Sequence, residues 1–479
     1  MNVAMTDSVP TKLEHAAVKP DPLRRTLLQT AAMGFGGLAL ADLVARESAA
    51  DGSARRSPLF LARVNRVIFL FLYGGPSHVD TFDYKPRLRQ DDGKPLPFAK
   101  PRVQFRGTRK LMASPWTFRQ YGDSGTWVSD LFPHVGRCAD HLTFVHGLHG
   151  SNPAHGGALL KMHTGSDTFV RPSLGSWISY GLGTENSDLP SFVTIDPTLN
   201  HGGVQNFGSA FLPAIHQGVR ISSTSRQGIA DLGAGGADGP IQSLKLKLLQ
   251  QINREQFSRT PADLDLQARI RSFELAYRMQ RTAPELFDLS RESRATHRAY
   301  GLDDKSTADF GRQCLLARRL SERGVRFVQC THRNGNAITW DAHSNLVKNH
   351  TRLAREVDRP IATLLRDLNQ RGLLDDTLVI CGGEFGRTPT REGNDGRDHN
   401  PHGFTWWLAG GGVRSGHHHG ATDDYGFYAA TDRVHVHDLH ATILHLLGID
   451  HELLTYRHAG RDFRLTDVEG VVVEEILSS

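Results

Sequence analysis

Residues 377–412 read TLVICGGEFGRTPTREGNDGRDHNPHGFTWWLAGGG and place a dense polar segment between two apolar runs. The runs, Thr377–Cys381 and Phe404–Ala409, are short, contain β-branched and aromatic residues, and lack the alternation of a half-exposed strand. Such runs are typical of strands covered on both faces, as in a parallel sheet. The stretch therefore predicts two core strands, with Trp406 and Trp407 in the core rather than on a sugar-binding surface.

Similar runs recur along the chain, with helical patterns between them. The further runs are Arg66–Tyr73, Leu142–His146, Ser191–Ile195 and Val325–Cys330. Helical spacing of apolar residues occurs in Ser306–Arg323, Leu353–Arg371 and Val436–Leu447. This alternation predicts an α/β fold with a doubly wound, mostly parallel sheet sandwiched by helices. In such sheets ligands bind beyond the carboxyl ends of the strands, so the polar segments after the runs are the candidate site.

Length and composition restrict the classes of function. The chain has 479 residues, of which 39% are hydrophobic, so it can bury a sizeable core. A net charge of +5 is small for this length and no long Lys/Arg run occurs, so we expect no nucleic-acid partner. The 4 cysteines form no CxxC pair, which leaves one long-range disulfide open. Histidine, the most common metal ligand, is abundant with 25 residues, and the run His417–His419 is assigned to the surface.

The N-terminal residues predict export. Residues 23–40, LRRTLLQTAAMGFGGLAL, place two arginines before a modest apolar stretch, which resembles a twin-arginine signal. An ordinary helix with an incidental arginine pair is the alternative. We expect a protein of the periplasm or cell surface, which touches the membrane only through this segment if it is not cleaved. Residues 1–50 are thus predicted as signal and linker, and 59–479 as a single domain with insertions near 91–125 and 200–260.

Four polar segments follow predicted strands or lead into a helix. They read GPSHVDTFD at 75–83, GSNPAH at 150–155, WDAHSN at 340–345 and, from 384 to 402, the segment quoted above. Their carboxylates and imidazoles suit one or two divalent ions, with zinc or manganese favoured over calcium. Any one pair is also common on protein surfaces. The predicted metal ligands are Asp80, Asp341, His343, Glu384, Asp398, His399 and His402.

Ser151 and His155 are the first candidates for catalysis. Ser151 precedes a predicted helix at Ala154–Met162, where it is either the helix cap or a metal-activated nucleophile. His155 on the same turn is a candidate to hold an oxyanion or a leaving group. The backbone amides at such a helix start also bind anions.

Arg387 is the third catalytic candidate. A guanidinium can bind an anionic substrate through two parallel hydrogen bonds. The alternative is a structural salt bridge between Arg387 and Glu384 or Asp398.

Several motifs resemble the bacterial exported proteins called domain of unknown function 1501, which are grouped with the alkaline phosphatase and sulfatase superfamily. The resemblance spans residues 66–450. The matching pieces are GGPSHVDTFDYKP at 74–86, SNPAHGGALLKMHTG at 151–165, WDAHSN at 340–345, RGLLDDTLVICGGEFGRTP at 371–389, GRDHNPHGFTWWLAGGG at 396–412 and VHDLHATILHLLGID at 436–450. The superfamily implies a metal-dependent hydrolase of sulfate or phosphate esters, with zinc, manganese, magnesium or calcium as cofactor and a small or polymeric anionic ester as substrate.

The resemblance also implies roles for single residues. Asp80 falls where the superfamily has a metal-binding aspartate after the first strand, and Ser151 takes the nucleophile position. Asp341 and His343 look like the Asp and His of one metal site. Glu384 replaces the Asp of an Asp-His-Gly segment, and His402 takes the place of a late histidine.

Two departures from the superfamily pattern keep rival functions open. Phe385 stands where many phosphatases have a histidine ligand, so His399 or Asp398 is expected to supply that ligand. The full sulfatase signature is missing. One rival is a non-catalytic cell-surface or periplasmic binding protein that keeps the fold. Another is an enzyme with one metal ion and plain water, in which Ser151 is only a cap.

Overall fold

The computed structural model describes residues 60–105, 110–225, 264–332 and 339–478, together with a few helical positions between 244 and 256. The predicted signal and linker at 1–50 lie outside these residues, and so does part of the insertion expected near 200–260. Among the described residues, no helix combines the length and the apolar character needed to cross a bilayer.

The secondary structure alternates between strands and helices. The strands are β1 (Arg66–Leu72), β2 (Phe118–Tyr121), β3 (Thr126–Ser129), β4 (Leu142–His149), β5 (Phe192–Ile195), β6 (Val219–Ile221), β7 (Phe327–His332), β8 (Thr377–Gly382), β9 (Gly386–Glu392), β10 (Gly396–Asn400), β11 (Phe404–Gly410), β12 (His417–His419), β13 (Ala421–Thr422), β14 (Ala429–Thr431), β15 (Val434–His435), β16 (Tyr456–His458) and β17 (Arg461–Phe463). The helices are α1 (His78–Thr81), α2 (Pro86–Gln90), α3 (Pro133–Gly136), α4 (His155–Thr164), α5 (Leu174–Leu182), α6 (Leu264–Phe287), α7 (Arg294–Ala299), α8 (Ala308–Glu322), α9 (Leu346–Gln370) and α10 (Val436–Leu446).

The central sheet of the described residues is mixed and mostly parallel. Its strand order is β12-β4-β11-β8-β1-β7-β5-β6, and β15 also pairs with β4. β11 runs antiparallel to both of its neighbours, while the other pairs are parallel. The carboxyl ends of β1, β4, β5, β7 and β8 therefore lie at one edge of the sheet, and β11 begins there.

Two apolar clusters cover the two faces of this sheet. Alternate residues of β1 point to opposite faces: Ile68 packs in one cluster and Phe69 in the other, and both are buried. The predicted core strands are confirmed, and Trp406 and Trp407 are buried in β11 as expected. The α/β fold with a mostly parallel sheet between helices is thus the predicted one, because runs that are buried on both faces are readable from sequence.

Three local expectations need correction. The helix expected from Ala154 begins at His155, so its N-cap is Ala154 and Ser151 is an exposed loop residue. The run His417–His419, assigned to the surface, forms an edge strand of the sheet in which His418 is exposed but His419 is buried. The long-range disulfide does not form, since all four cysteines are free and buried.

Candidate metal centre

The candidate site lies at the carboxyl edge of the sheet, where β1 and β8 end side by side. The backbone amide of Gly74, just after β1, donates to both carboxylate oxygens of Glu384, just after β8, at 3.0 and 3.1 Å. Gly74 has φ +111°, and a Cβ there would come within 2.5 Å of the backbone nitrogen of Asp341. Glycine is therefore required for β1 to end against the segment that carries Asp341.

Asp341 is the centre of a group of histidines. Its Oδ2 lies 3.2 Å from His155 Nε2, and its Oδ1 lies 3.2 Å from His399 Nε2 and 2.9 Å from His343 Nε2. His155 Nδ1 in turn lies 2.6 Å from Glu384 Oε1. The ligand-capable atoms of His155, Asp341 and His399 lie within 4.8 Å of one another, which is the spacing that one metal ion requires.

A second group adjoins the first. One ligand-capable atom from each of His343, Glu392 and Asp398 lies within 4.8 Å of the other two. His343 Nδ1 lies 2.6 Å from Glu392 Oε2, and His343 Nε2 lies 3.0 Å from His399 Nε2. The two groups therefore form one continuous cluster, with His343 at the junction.

The hydrogen bonds of His399 show that the donor set fits a cation. Its Nδ1 lies 2.6 Å from the carbonyl oxygen of Pro153. A carbonyl can only accept, so Nδ1 carries a proton, and Nε2 is the nitrogen that faces Asp341 Oδ1 and His343 Nε2. A metal-binding histidine commonly donates its other ring nitrogen to a backbone carbonyl in this way. Together with the imidazoles and carboxylates around it, this suits zinc or manganese.

Charge is distributed unevenly over the cluster. Although burial opposes it, Arg387 and the three histidines hold the pKa of Asp341 far below its usual range. Burial also opposes a charge on His155, but hydrogen bonds to Asp341 and Glu384 raise its pKa to about 9. Burial lowers the pKa of His399 to about 3 in spite of its contact with Asp341. Without metal, the two carboxylates therefore favour a proton on His155, and burial favours the neutral form of His399.

Arg387 supports the cluster through buried hydrogen bonds. Its side chain is fully buried and donates to the carbonyl oxygens of Gly74 and Gly75 and to Asp341 Oδ1, the last at 2.8 Å. The salt bridge anticipated with Glu384 or Asp398 is instead made with Asp341. Arg387 therefore connects the turn after β1 to the central carboxylate.

Two predicted ligands lie elsewhere. Asp80 is fully buried, accepts two hydrogen bonds from Arg397 at 2.7 and 3.1 Å, and accepts a third from Ser77 at 2.6 Å. His402 Nε2 lies 2.8 Å from the carbonyl oxygen of Arg102. Neither residue belongs to the metal-capable groups found among the described residues. Glu384, also predicted as a ligand, contacts His155 of the cluster but belongs to neither group either.

The loop with Ser151 is fixed next to the cluster. Asn152 Oδ1 accepts from the backbone amide of Ala154 at 2.9 Å, and the Pro153 carbonyl accepts from His399. Ser151 itself is exposed, and no side chain caps the start of α4. A Cβ at Gly156 would meet nothing within 4 Å, so open space adjoins this helix start.

Aromatic side chains cover part of the cluster. Phe385 stacks on His399 with ring centroids 4.3 Å apart. Phe105 packs edge-on against His343, and its amide donates to Asp398 Oδ2 at 2.8 Å. Phe105 belongs to the insertion predicted near 91–125, so this insertion contributes to the wall of the site.

Glu392 was missed from the sequence. It ends β9, and the turn Gly393–Asp395 leads into β10, which carries Asp398 and His399. The pairing of Glu392 with Gly396 makes this an antiparallel hairpin. The Asn-Asp-Gly letters at 394–396 are a hairpin signal that could have placed Glu392 beside the strand with Asp398.

Comparison with protein families gives a match over nearly the whole described chain. The family model described as "Protein of unknown function (DUF1501)" matches residues 64–477. The sequence matches no curated protein at a significant level.

Solved structures of similar fold are distant in sequence. The lipoteichoic acid synthase LtaP from Listeria monocytogenes is 9% identical with a TM-score of 0.36, over 88% of this chain and 80% of that one. A sulfatase from Pseudoalteromonas sp. is 12% identical with a TM-score of 0.35, over 91% and 73%. The alkaline phosphatase from the Antarctic bacterium TAB5 is 10% identical with a TM-score of 0.32, over 81% and 99%.

Proposed function

This chain belongs to the DUF1501 family, and we propose that it is an exported metal-dependent hydrolase of sulfate or phosphate esters. The observation that carries the proposal is the continuous cluster at the carboxyl edge of the sheet. There, Asp341 contacts three histidines, and His343 joins this group to Glu392 and Asp398. A structural salt bridge needs one cation for one carboxylate, whereas this cluster assembles three neutralisable imidazoles around Asp341.

The cluster offers ligands for two neighbouring ions. The first set is His155, Asp341 and His399, and the second is His343, Glu392 and Asp398. When bound, a divalent ion would polarise the ester oxygen and activate the attacking hydroxyl. Arg387 keeps the Asp341 carboxylate in place, and Glu384 does the same for His155. These two residues act as positioning residues in the proposed site.

Ser151 is the proposed nucleophile. Its loop is held by the bond from the Ala154 amide to Asn152 Oδ1, and it contacts the cluster through the bond from His399 to Pro153. Because the side chain is exposed and does not cap α4, its hydroxyl is not committed to the helix start. In the reaction, the serine oxygen forms a bond to sulfur or phosphorus, the ester oxygen leaves, and water then releases the sulfate or phosphate.

The surrounding groups suit an anionic substrate. The backbone amides at the start of α4 have no side-chain cap and face the space beside Gly156, and such amides stabilise negative charge. The buried Arg387 already has acceptors, so it serves Asp341 rather than the substrate. A water molecule would deliver the proton that the leaving ester oxygen takes up, because the three histidines around Asp341 are assigned as metal ligands.

One observation favours the rival function, a non-catalytic binding protein of the cell surface or periplasm. Without a metal ion, Arg387 and His155 already contact the carboxylates of Asp341 and Glu384. Phe385 also stacks on His399. In the binding-protein interpretation, the same residues form a network of salt bridges that has no catalytic activity.

Turnover of aryl sulfates and aryl phosphates tests the proposal. The folded protein is assayed with zinc, manganese, magnesium or calcium, alongside Ser151→Ala and a control, Ser166→Ala, at the far end of α4. We expect metal-dependent hydrolysis that falls by about 100-fold or more in Ser151→Ala and stays unchanged in the control. Near-normal turnover in Ser151→Ala would instead indicate attack by water, and no turnover with any metal and ester would leave the binding protein as the better account.

A further inference from the structure

A separate group of ligand-capable side chains lies at the start of α10. His435 Nδ1 and His437 Nδ1 lie 3.4 and 2.7 Å from the same oxygen, Glu469 Oε2. The three atoms lie within 4.8 Å of one another. None of the three residues belongs to the cluster around Asp341. The group joins the helix start to the C-terminal segment that carries Glu469.

The proton on His437 can be located from its other contact. Nε2 lies 2.6 Å from the carbonyl oxygen of Gly165, and a carbonyl can only accept. Nε2 therefore carries a proton, and Nδ1 is the ring nitrogen that faces the Glu469 carboxylate. The contact of 2.7 Å between Nδ1 and Glu469 Oε2 is bridged by a second proton or, when that proton is displaced, by a metal ion.

His435 also faces Glu469 through its Nδ1 atom. It is the N-cap of α10, and its Nδ1 accepts from the backbone amide of His437, while its own amide donates to Asp438 Oδ2 at 2.8 Å. Since Nδ1 accepts that bond, it carries no proton, and a metal ion would take the place of the amide as its partner. Two imidazole nitrogens and one carboxylate oxygen thus lie close enough together to bind one ion.

The surroundings resemble a metal site more than a surface ion pair. His437 is nearly fully buried, its side chain being 4% exposed, while the Glu469 side chain is 56% exposed. The other charged or titratable groups that act on this group are Lys161 of α4, His149 at the end of β4 and Asp438 of α10. The bond from His437 to Gly165 is the backbone partner that commonly orients a metal-binding histidine.

We propose that His435, His437 and Glu469 bind a further metal ion, a zinc that lies outside the Asp341 cluster. Two histidines and one glutamate, with water in the fourth position, are an established tetrahedral ligand set for zinc. The ion would connect α10, the Glu469 segment and, through Gly165, the end of α4, whose first residue is His155. The site would thus stabilise the helix that bears part of the proposed active site.

Zinc stoichiometry of purified full-length variants tests this proposal. The variants are Glu469→Gln and His435→Asn; asparagine is itself a favoured N-cap, so His435→Asn keeps the start of α10 while it removes the imidazole. Glu475→Gln, an exposed carboxylate in the same C-terminal segment, is the control. After gel filtration in zinc-containing buffer, elemental analysis should show about one zinc fewer in each test variant than in wild type and the control.

Asp341→Asn separates this site from the main cluster. In that variant, cobalt added in place of zinc should still give the visible absorption of a four-coordinate ion, and adding Glu469→Gln should abolish it. The proposal is overturned if Glu469→Gln and His435→Asn, shown by circular dichroism to be folded, both keep the wild-type zinc content. It is also overturned if Asp341→Asn alone loses all zinc and binds no cobalt.

Discussion

Asp80 and Asp341 are two carboxylates near the same sheet edge with opposite surroundings. Asp80 has a fully buried side chain, and both of its oxygens are taken by the equally buried Arg397, with Ser77 as an additional donor. Asp341 is 30% exposed and faces three imidazoles as well as Arg387. The first pair is closed to solvent, whereas the second can exchange its protons for a metal ion.

The difference shows what turns an acidic residue into a ligand. Arg397 cannot lose its charge, so nothing can replace it at Asp80 without leaving a buried cation behind. The histidines at Asp341 can become neutral and keep their position as ligands. Solvent access and neutralisable partners, rather than the carboxylate alone, therefore distinguish a candidate metal site from a structural ion pair.

The largest expected effect is on the free energy of unfolding, when the buried ion pair of Asp80 and Arg397 is broken. Asp80→Asn removes the charge opposite the buried Arg397, and breaking a buried pair in this way costs about 3–5 kcal/mol. Urea unfolding of Asp80→Asn should show that loss in the free energy of unfolding. The exposed Asp303→Asn serves as the control and should stay within about 0.5 kcal/mol of wild type. A loss in Asp80→Asn as small as the control's would contradict the conclusion that Asp80 and Arg397 form a buried structural ion pair.

The next largest effect is on metal affinity at the solvent-accessible group around Asp341. Asp341→Asn removes the one carboxylate shared by three histidines, so metal affinity should fall by about 100-fold or more. Competition with a fluorescent chelator measures the affinity. In chelator-treated protein, Asp341→Asn should cost less stability than Asp80→Asn, because Asp341 is partly hydrated. The reverse order of the two stability losses would show that Asp341 is structural.

The sequence predicted the sheet and much of this site for one physical reason. Runs buried on both faces identify strands. Because the carboxyl ends of parallel strands meet at one edge of the sheet, the polar residues that follow these strands are expected to lie together. Asp341, His343, His399, His155 and Glu384 do lie together. The sequence does not show which residues that are far apart in the chain pair with one another. Asp80 was assigned as a ligand because its partner, Arg397, is remote in the chain and approaches only through the β9–β10 hairpin.

A smaller effect is expected at Glu392, which the hairpin brings to His343. Glu392→Gln keeps the size of the side chain but removes the charge 2.6 Å from His343 Nδ1. If Glu392 holds or orients a second ion, metal affinity should fall by about tenfold. The exposed Glu452→Gln should leave the affinity unchanged. Equal affinities in Glu392→Gln and wild type would restrict the site to the group around Asp341.

The last expected effect is a gradual dependence of metal affinity on pH, which is small for each pH unit. Although burial opposes the charge, the two carboxylates raise the pKa of His155 to about 9, so metal must displace its proton below that pH. The apparent affinity should rise with pH between about 6.5 and 8.5, by less than about tenfold per pH unit. Calorimetry in buffers of different ionisation enthalpy should detect the released proton. An affinity that does not change over this range would show that His155 is not a ligand.

The most direct test of the central claim is the metal content of the Asp80 and Asp341 variants beside wild type. Each folded protein is passed through gel filtration in the absence of chelator and measured by elemental analysis. We predict that Asp80→Asn retains the wild-type content of zinc, manganese or magnesium in its folded fraction, and that Asp341→Asn loses one or more equivalents. Equal metal content in wild type and Asp341→Asn, or the absence of metal from all three even after added ions, would contradict the account and leave the cluster as a buried network of salt bridges.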